Sequence, residues 1–183
     1  MSAVAPAPTT AVPAADEYGT HYAGYVSRVP PGDIIAQLER QISATVALLK
    51  PLDATRARYR YAPGKWSVIE IVGHLADAER IFAYRALRFA RGDQSSLPGF
   101  DENTYVPAAE CERRALADVL AEFQSVRAAT VTLFKGLPDV AWTRSGIASG
   151  NRLSVRAAAR VISGHELHHA EVLRTRYGLG SAQ

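Results

Sequence analysis

The chain has 183 residues, 48% hydrophobic and 21% charged, with a formal net charge of +3. This composition suits one globular domain with a good core, and the charge is too mild to point to a nucleic-acid partner. A single cysteine, Cys111, excludes an intramolecular disulfide and fits a cytoplasmic setting, and no apolar run approaches the ~20 residues that span a membrane.

Residues 1–16 are mostly Ala, Pro, Thr and Val, without the charged start or continuous apolar core of a secretory signal. They read as a disordered tail, leaving 17–183 as a single domain. Ile34, Ile35, Leu38, Ile42, Val46 and Leu49 recur every three or four positions. A first helix is therefore expected from about Asp33, its N-cap, to Leu49, with Pro51 just beyond. Ser67 and Glu70 form an S-x-x-E capping box that opens a second helix, Val68 to Arg91. Trp66 is placed to pack on Ile71 across that cap, and Gly92 is the stop.

Leu116, Val119, Leu120, Phe123, Val126, Thr130 and Phe134 mark a third helix from about Glu112 to Lys135, closed by Gly136 and Pro138. Ser154 caps a fourth, Val155 to Tyr177, closed by Gly178. No strand alternation stands out. The expected fold class is all-α, a four-helix bundle. The links over residues 92–111 and 136–153 are long for a bundle and permit crossovers.

Three of the five histidines lie in Gly164-His165-Glu166-Leu167-His168-His169. His165 and His169 are one helical turn apart on one face, a spacing that can bind a transition metal. The pattern His165-Glu166-x-x-His169 also matches zinc proteases, with Glu166 as general base. Their third ligand follows the motif, whereas the residues after His169 contain no histidine. Glu166 therefore reads as a surface residue or an outlying support.

His74, on the second helix, is the alternative third ligand. It lies about 10 Å along the axis from Ser67, and the His165/His169 pair about 15 Å from the end of its helix. An antiparallel second and fourth helix would bring the three rings within about 5 Å in height; a parallel pair would miss by about 10 Å. The order up-down-down-up satisfies this. From spacing alone, a metal site and a set of packed or solvated histidines both stay open. Gly73 and Gly164 each precede a proposed ligand, where a missing side chain permits close helix approach. Asp77, one turn after His74, is placed to orient a ligand ring or to sit on the helix surface. Arg85, Arg88 and Arg91 suit the C-terminal end of a helix dipole without a nucleic-acid ligand.

Lys65-Trp66-Ser67-Val68-Ile69-Glu70-Ile71-Val72-Gly73-His74-Leu75-Ala76-Asp77 resembles the opening of the second helix in the DinB-like (DinB/YfiT) superfamily. Gly164-His165-Glu166-Leu167-His168-His169 resembles its fourth-helix signature, and Pro98-Gly99-Phe100-Asp101-Glu102-Asn103 a loop that follows its second helix. The resemblance spans about Asp33 to Gly178. It implies a four-helix bundle, frequently a homodimer, with a divalent metal such as zinc or nickel held by His74, His165 and His169. It also implies a metal-dependent enzyme acting on a small molecule, either a hydrolase or a transferase using a low-molecular-weight thiol. The alternative is a metal-stabilised binding or stress-response module without catalysis. The loop at Asp101-Glu102-Asn103 reads first as a solvated acidic loop, and as an alternative one that covers the site and supplies an acid, base or substrate contact.

Overall fold

In a computed structural model of the chain, which describes Thr9 and residues 11–180, the four expected helices are all present. The expected tail lies outside the described residues at positions 1–8 and 10. Ala15–Glu17 and Thr20–Tyr22 form single turns of 3-10 helix leading into α1, Ala23–Val26. This N-terminal strap is tied down at Glu17, whose buried carboxylate accepts from Ser154 Oγ at 2.7 Å and from the Arg156 guanidinium.

α2 runs Ile34–Leu49, capped by Asp33, whose carboxylate accepts from the Ile35 N–H at 2.8 Å. A short α3, Ala54–Ala57, follows. α4 runs Val68–Ala90, and Glu70 at its start accepts from the Ser67 N–H at 2.7 Å. The long link after it holds α5, Glu102–Ala108, and a 3-10 turn, Cys111–Arg113. α6 runs Leu116–Lys135 and α7 Val155–Tyr177.

Two expectations are corrected. The third long helix begins at Leu116, not Glu112. Glu110 has φ +46°, Arg114 and Ala115 are extended, and Arg58 takes the Glu112 carbonyl at 2.8 Å, so the chain turns before the helix starts. The chain also contains strands: β1, Ser145–Ala148, pairs antiparallel with β2, Asn151–Ser154, with Gly146 opposite Leu153. Ser149 and Gly150, at φ +52° and +74°, close this hairpin. Gly146 lies where a Cβ would stand 2.2 Å from the Phe89 ring, which seats the hairpin on α4. The Leu97 N–H donates to the Ile147 carbonyl and the Ser149 N–H to the Leu97 carbonyl, binding the Pro98–Phe100 segment to the hairpin.

In the bundle, α4 packs on α6 and α7, α2 packs on α6 and α7, and α1 lies on α7. Two apolar clusters fill it. One holds Phe82, Phe89, Phe134 and Trp142; the other holds Leu49, Val72, Phe123 and Leu173. A polar layer separates them. Arg127 grips both carboxylate oxygens of Glu79 at 2.8 and 2.7 Å and reaches Glu166 at 2.8 Å. Thr45 Oγ donates to Glu166 at 2.6 Å, and Gln41 pairs with Ser163.

Candidate metal centre

His74 is carried by the middle of α4, and His165 and His169 by α7. Trp66, ahead of α4, meets the far end of α7, where Tyr177 Oη donates to the Trp66 carbonyl. Between these two helices the three imidazoles come together. His74 Nε2 lies 3.0 Å and His169 Nε2 3.1 Å from His165 Nε2. One ring nitrogen has a single proton or a single lone pair and cannot satisfy both neighbours. Zn–N bonds of ~2.0–2.1 Å at tetrahedral angles would set such nitrogens about 3.3 Å apart, close to this spacing. The three side chains form a group able to hold one metal ion.

His74 and His165 are buried and His169 is half-buried. Burial disfavours the imidazolium form, lowering His74 to about 4, His169 to about 3 and His165 well below its ordinary value. The nearby Glu102 carboxylate pulls His74 back up in part. Near neutral pH all three are therefore uncharged, the state in which a lone pair is free for a metal. Aromatic neighbours hold the rings. Trp66 packs at 4.7 Å between centroids on His74 and stacks on His169, and Tyr25 meets His165 edge-on at 5.3 Å. The stacking matters for His169, whose buried Nδ1 has no hydrogen-bond partner among the described residues.

The triad opens on a cavity of about 540 Å³. Its walls include Tyr22, Tyr25, Phe82 and Phe100, with His21, His168, Glu102 and Ser149 as the other polar groups. A second cleft of about 290 Å³ shares Trp66, His168 and His169 and is bordered by Asn103. Of the loop at Asp101-Glu102-Asn103, Glu102 reaches the cavity and Asn103 the cleft, while Asp101 caps α5 by accepting from the Asn103 N–H at 2.9 Å. His168 stands on the cavity wall beside the triad.

Other sequence readings fare differently. Glu166 is not a surface residue: it is 1% exposed and bound to Arg127 and Thr45, facing the core. Asp77 does not orient a ligand ring; its carboxylate takes Arg80 at 3.3 Å. Gly73 and Gly164 do permit close approach, of the 3-10 turn at Cys111 in the first case and of the short helix α1 in the second. A Cβ on Gly73 would stand 2.4 Å from Cys111 Sγ, and one on Gly164 1.9 Å from the Tyr25 carbonyl oxygen. Arg85 is buried, and Arg88 is occupied by Asp93 and Tyr84. The sequence reading missed Trp66, Tyr25 and Ser149 as site neighbours. The Ser149-Gly150 dipeptide was the available turn signal.

The sequence profile of the DinB superfamily matches residues 37–173. Among solved structures, YfiT from Bacillus subtilis, described as a probable metal-dependent hydrolase with an unusual four-helix bundle topology, superposes with a TM-score of 0.67 at 19% identity, covering 77% of this chain and 84% of its own. A mycothiol-dependent maleylpyruvate isomerase gives a TM-score of 0.63 at 11% identity, covering 75% of this chain and 58% of its own. At these identities the likeness is one of fold. No curated protein matches the chain.

Proposed function

This chain belongs to the DinB superfamily, and on that footing we propose that His74, His165 and His169 hold one divalent transition metal, zinc or nickel. On this reading the chain is a metal-dependent enzyme acting on a small molecule, by hydrolysis or by transfer to a low-molecular-weight thiol. The observation that carries it is the convergence of three neutral imidazoles at the wall of a cavity of about 540 Å³. A structural metal site closes its four positions with protein ligands, whereas three ligands beside an open space suit catalysis.

A metal held there would lower the pKa of a bound water or thiol and so supply a nucleophile near neutral pH. The chain's own groups do the rest. Glu102 and His168 stand on the cavity wall to move a proton, and Trp66, Phe82 and Phe100 narrow the space and exclude water. The hydrolase description of YfiT and the thiol dependence of the isomerase support the two forms of the reaction.

The helix order up-down-down-up belongs to the same reading. It is supported by Tyr177 meeting Trp66, by Arg80 reaching Glu122 where α4 and α6 run side by side, and by Gln41 and Thr45 meeting Ser163 and Glu166 in step. A homodimer is proposed through α4, where Tyr84 and Leu87 are 49% and 37% exposed. A cytoplasmic setting fits the single buried thiol.

The test is metal content. Purified protein is expected to carry one divalent ion per chain, with loading lost in His74→Ala and in His165→Ala. A panel of esters, amides and thiol-plus-electrophile pairs then reads turnover. Unchanged loading in both variants would sink the assignment.

A further inference from the structure

One group beside the cavity is unexplained by the three imidazoles. Arg85, on α4, is 1% exposed. Its Nη2 donates to the Pro98 carbonyl and to Ser149 Oγ, both at 2.9 Å. Its Nη1 is buried with no hydrogen-bond partner, and no carboxylate among the described residues pairs with it. The guanidinium instead lies over the rings of Phe82 and Phe100, at 5.1 and 6.0 Å from their centroids. A buried cation with no counter-ion is costly to hold, so its retention calls for a role.

Three of the residues around Arg85 are also cavity residues, while Arg85 itself and Pro98 border an adjoining cleft of about 270 Å³. Phe82, Phe100 and Ser149 line the same cavity as His74, His165 and His169. Ser149 sits at φ +52°, in the left-handed region, where the first residue of such a two-residue turn is usually Asn, Asp or Gly. Serine there keeps a hydroxyl at the cavity in spite of backbone strain. Ser149 Oγ accepts from Arg85, its own proton is still available to donate, and no acceptor among the described residues takes it.

We propose that Ser149, backed by the buried Arg85, is an anion-recognising subsite of this cavity, and that the small molecule bound there carries a carboxylate. The carboxylate accepts from the Ser149 hydroxyl, with the guanidinium charge directly behind it, while the aromatic walls take the apolar body. The inference rests on the reading of this cavity as the substrate site, but not on the metal.

The probe is benzoate, with benzamide as its neutral counterpart, titrated by calorimetry into the full-length protein without metal and again after zinc loading. In the metal-free protein no ion can bind the carboxylate, which isolates the subsite. Benzoate is expected to bind about tenfold or more tighter than benzamide, as a charge-assisted hydrogen bond allows. Ser149→Gly fits the positive φ, keeps the turn and removes the hydroxyl. It is expected to weaken benzoate about tenfold and leave benzamide unchanged. Arg85→Gln, checked for an intact fold by circular dichroism, gives the same loss. If both His74→Ala and His165→Ala leave metal loading intact but the benzoate pattern holds, the subsite stands and the metal assignment fails. Equal binding of benzoate and benzamide, benzoate affinity untouched in Ser149→Gly, or no benzoate binding at millimolar concentration overturns the proposal.

Discussion

Arg127 reaches Glu166 at 2.8 Å inside the bundle, one residue along α7 from His165. The carboxylate that the His-Glu-x-x-His pattern offers as a base is thereby turned away from the histidines and into the polar layer. Glu79 takes the Nε and Nη2 of the same guanidinium and Glu166 also reaches Nη2, so two buried carboxylates share one cation.

Arg127→Met would leave Glu79 and Glu166 without their counter-charge, and is expected to lower stability by about 3–5 kcal/mol in urea unfolding. Glu166→Gln retains an oxygen for Thr45 and leaves Arg127 paired with Glu79. It is expected to cost about 1–2 kcal/mol and leave metal content and turnover unchanged. Loss of turnover in a well-folded Glu166→Gln protein would restore Glu166 as the catalytic base.

The two glycines beside the ligands predict different outcomes. In Gly164→Ala the new methyl meets the backbone oxygen of Tyr25, so α1 has to move; a loss of about 1–3 kcal/mol is expected, with faster hydrogen exchange in residues 23–26. In Gly73→Ala the obstacle is only Cys111 Sγ. Gly73→Ala with Cys111→Ala should recover at least ~0.5 kcal/mol relative to the sum of the single changes. Strict additivity would show that the contact is not limiting.

Acid should destabilise the metal-free protein. His74 sits at about 4 and His169 at about 3 when folded, against 6.5 for the ordinary imidazole. Below pH 6.5 the unfolded chain takes up protons that the native chain refuses. The contribution is therefore complete above pH 6.5 and is lost as the pH falls toward 4. For His74 this amounts to at most about 3 kcal/mol. Melting temperatures of the metal-free protein and of His74→Asn, followed from pH 7.5 to 4.5, should diverge in slope. Parallel curves would mean that His74 titrates normally.

Trp66 offers a spectroscopic report. Its ring packs on His74 and His169, whereas Trp142 is buried against Phe134 in the other cluster. Adding zinc to metal-free protein is expected to change tryptophan fluorescence in the wild type and in Trp142→Phe, but not in Trp66→Phe. A signal that survives in Trp66→Phe would move the metal away from these rings.

The four long helices were legible because each buries a stripe wide enough to impose its period, as with Leu38 and Leu49 on α2 or Val119 and Phe123 on α6. Their caps, Asp33, Ser67 and Ser154, could be read locally for the same reason. The hairpin was not legible. Its strands, Ser-Gly-Ile-Ala and Asn-Arg-Leu-Ser, are too short to alternate, and what holds them is Phe89 against Gly146, a contact distant in sequence. The Arg127 network was hidden because charged residues on a helix read as solvated, and only the facing helices show them to be enclosed. His74, by contrast, could be matched in height to His165 and His169 from helix rise, on the condition that their helices run antiparallel.

His21, Tyr22 and Tyr25 reach the cavity from the N-terminal strap, which precedes the stretch matched by the superfamily profile. The imidazoles and one wall of the cavity beside them are therefore encoded in different parts of the chain. Exchange of the strap for another sequence would re-cut that wall, but it would also take Tyr25 from the His165 ring and Glu17 from Ser154 and Arg156. One segment thus shapes the cavity and braces the helix that carries two of its imidazoles.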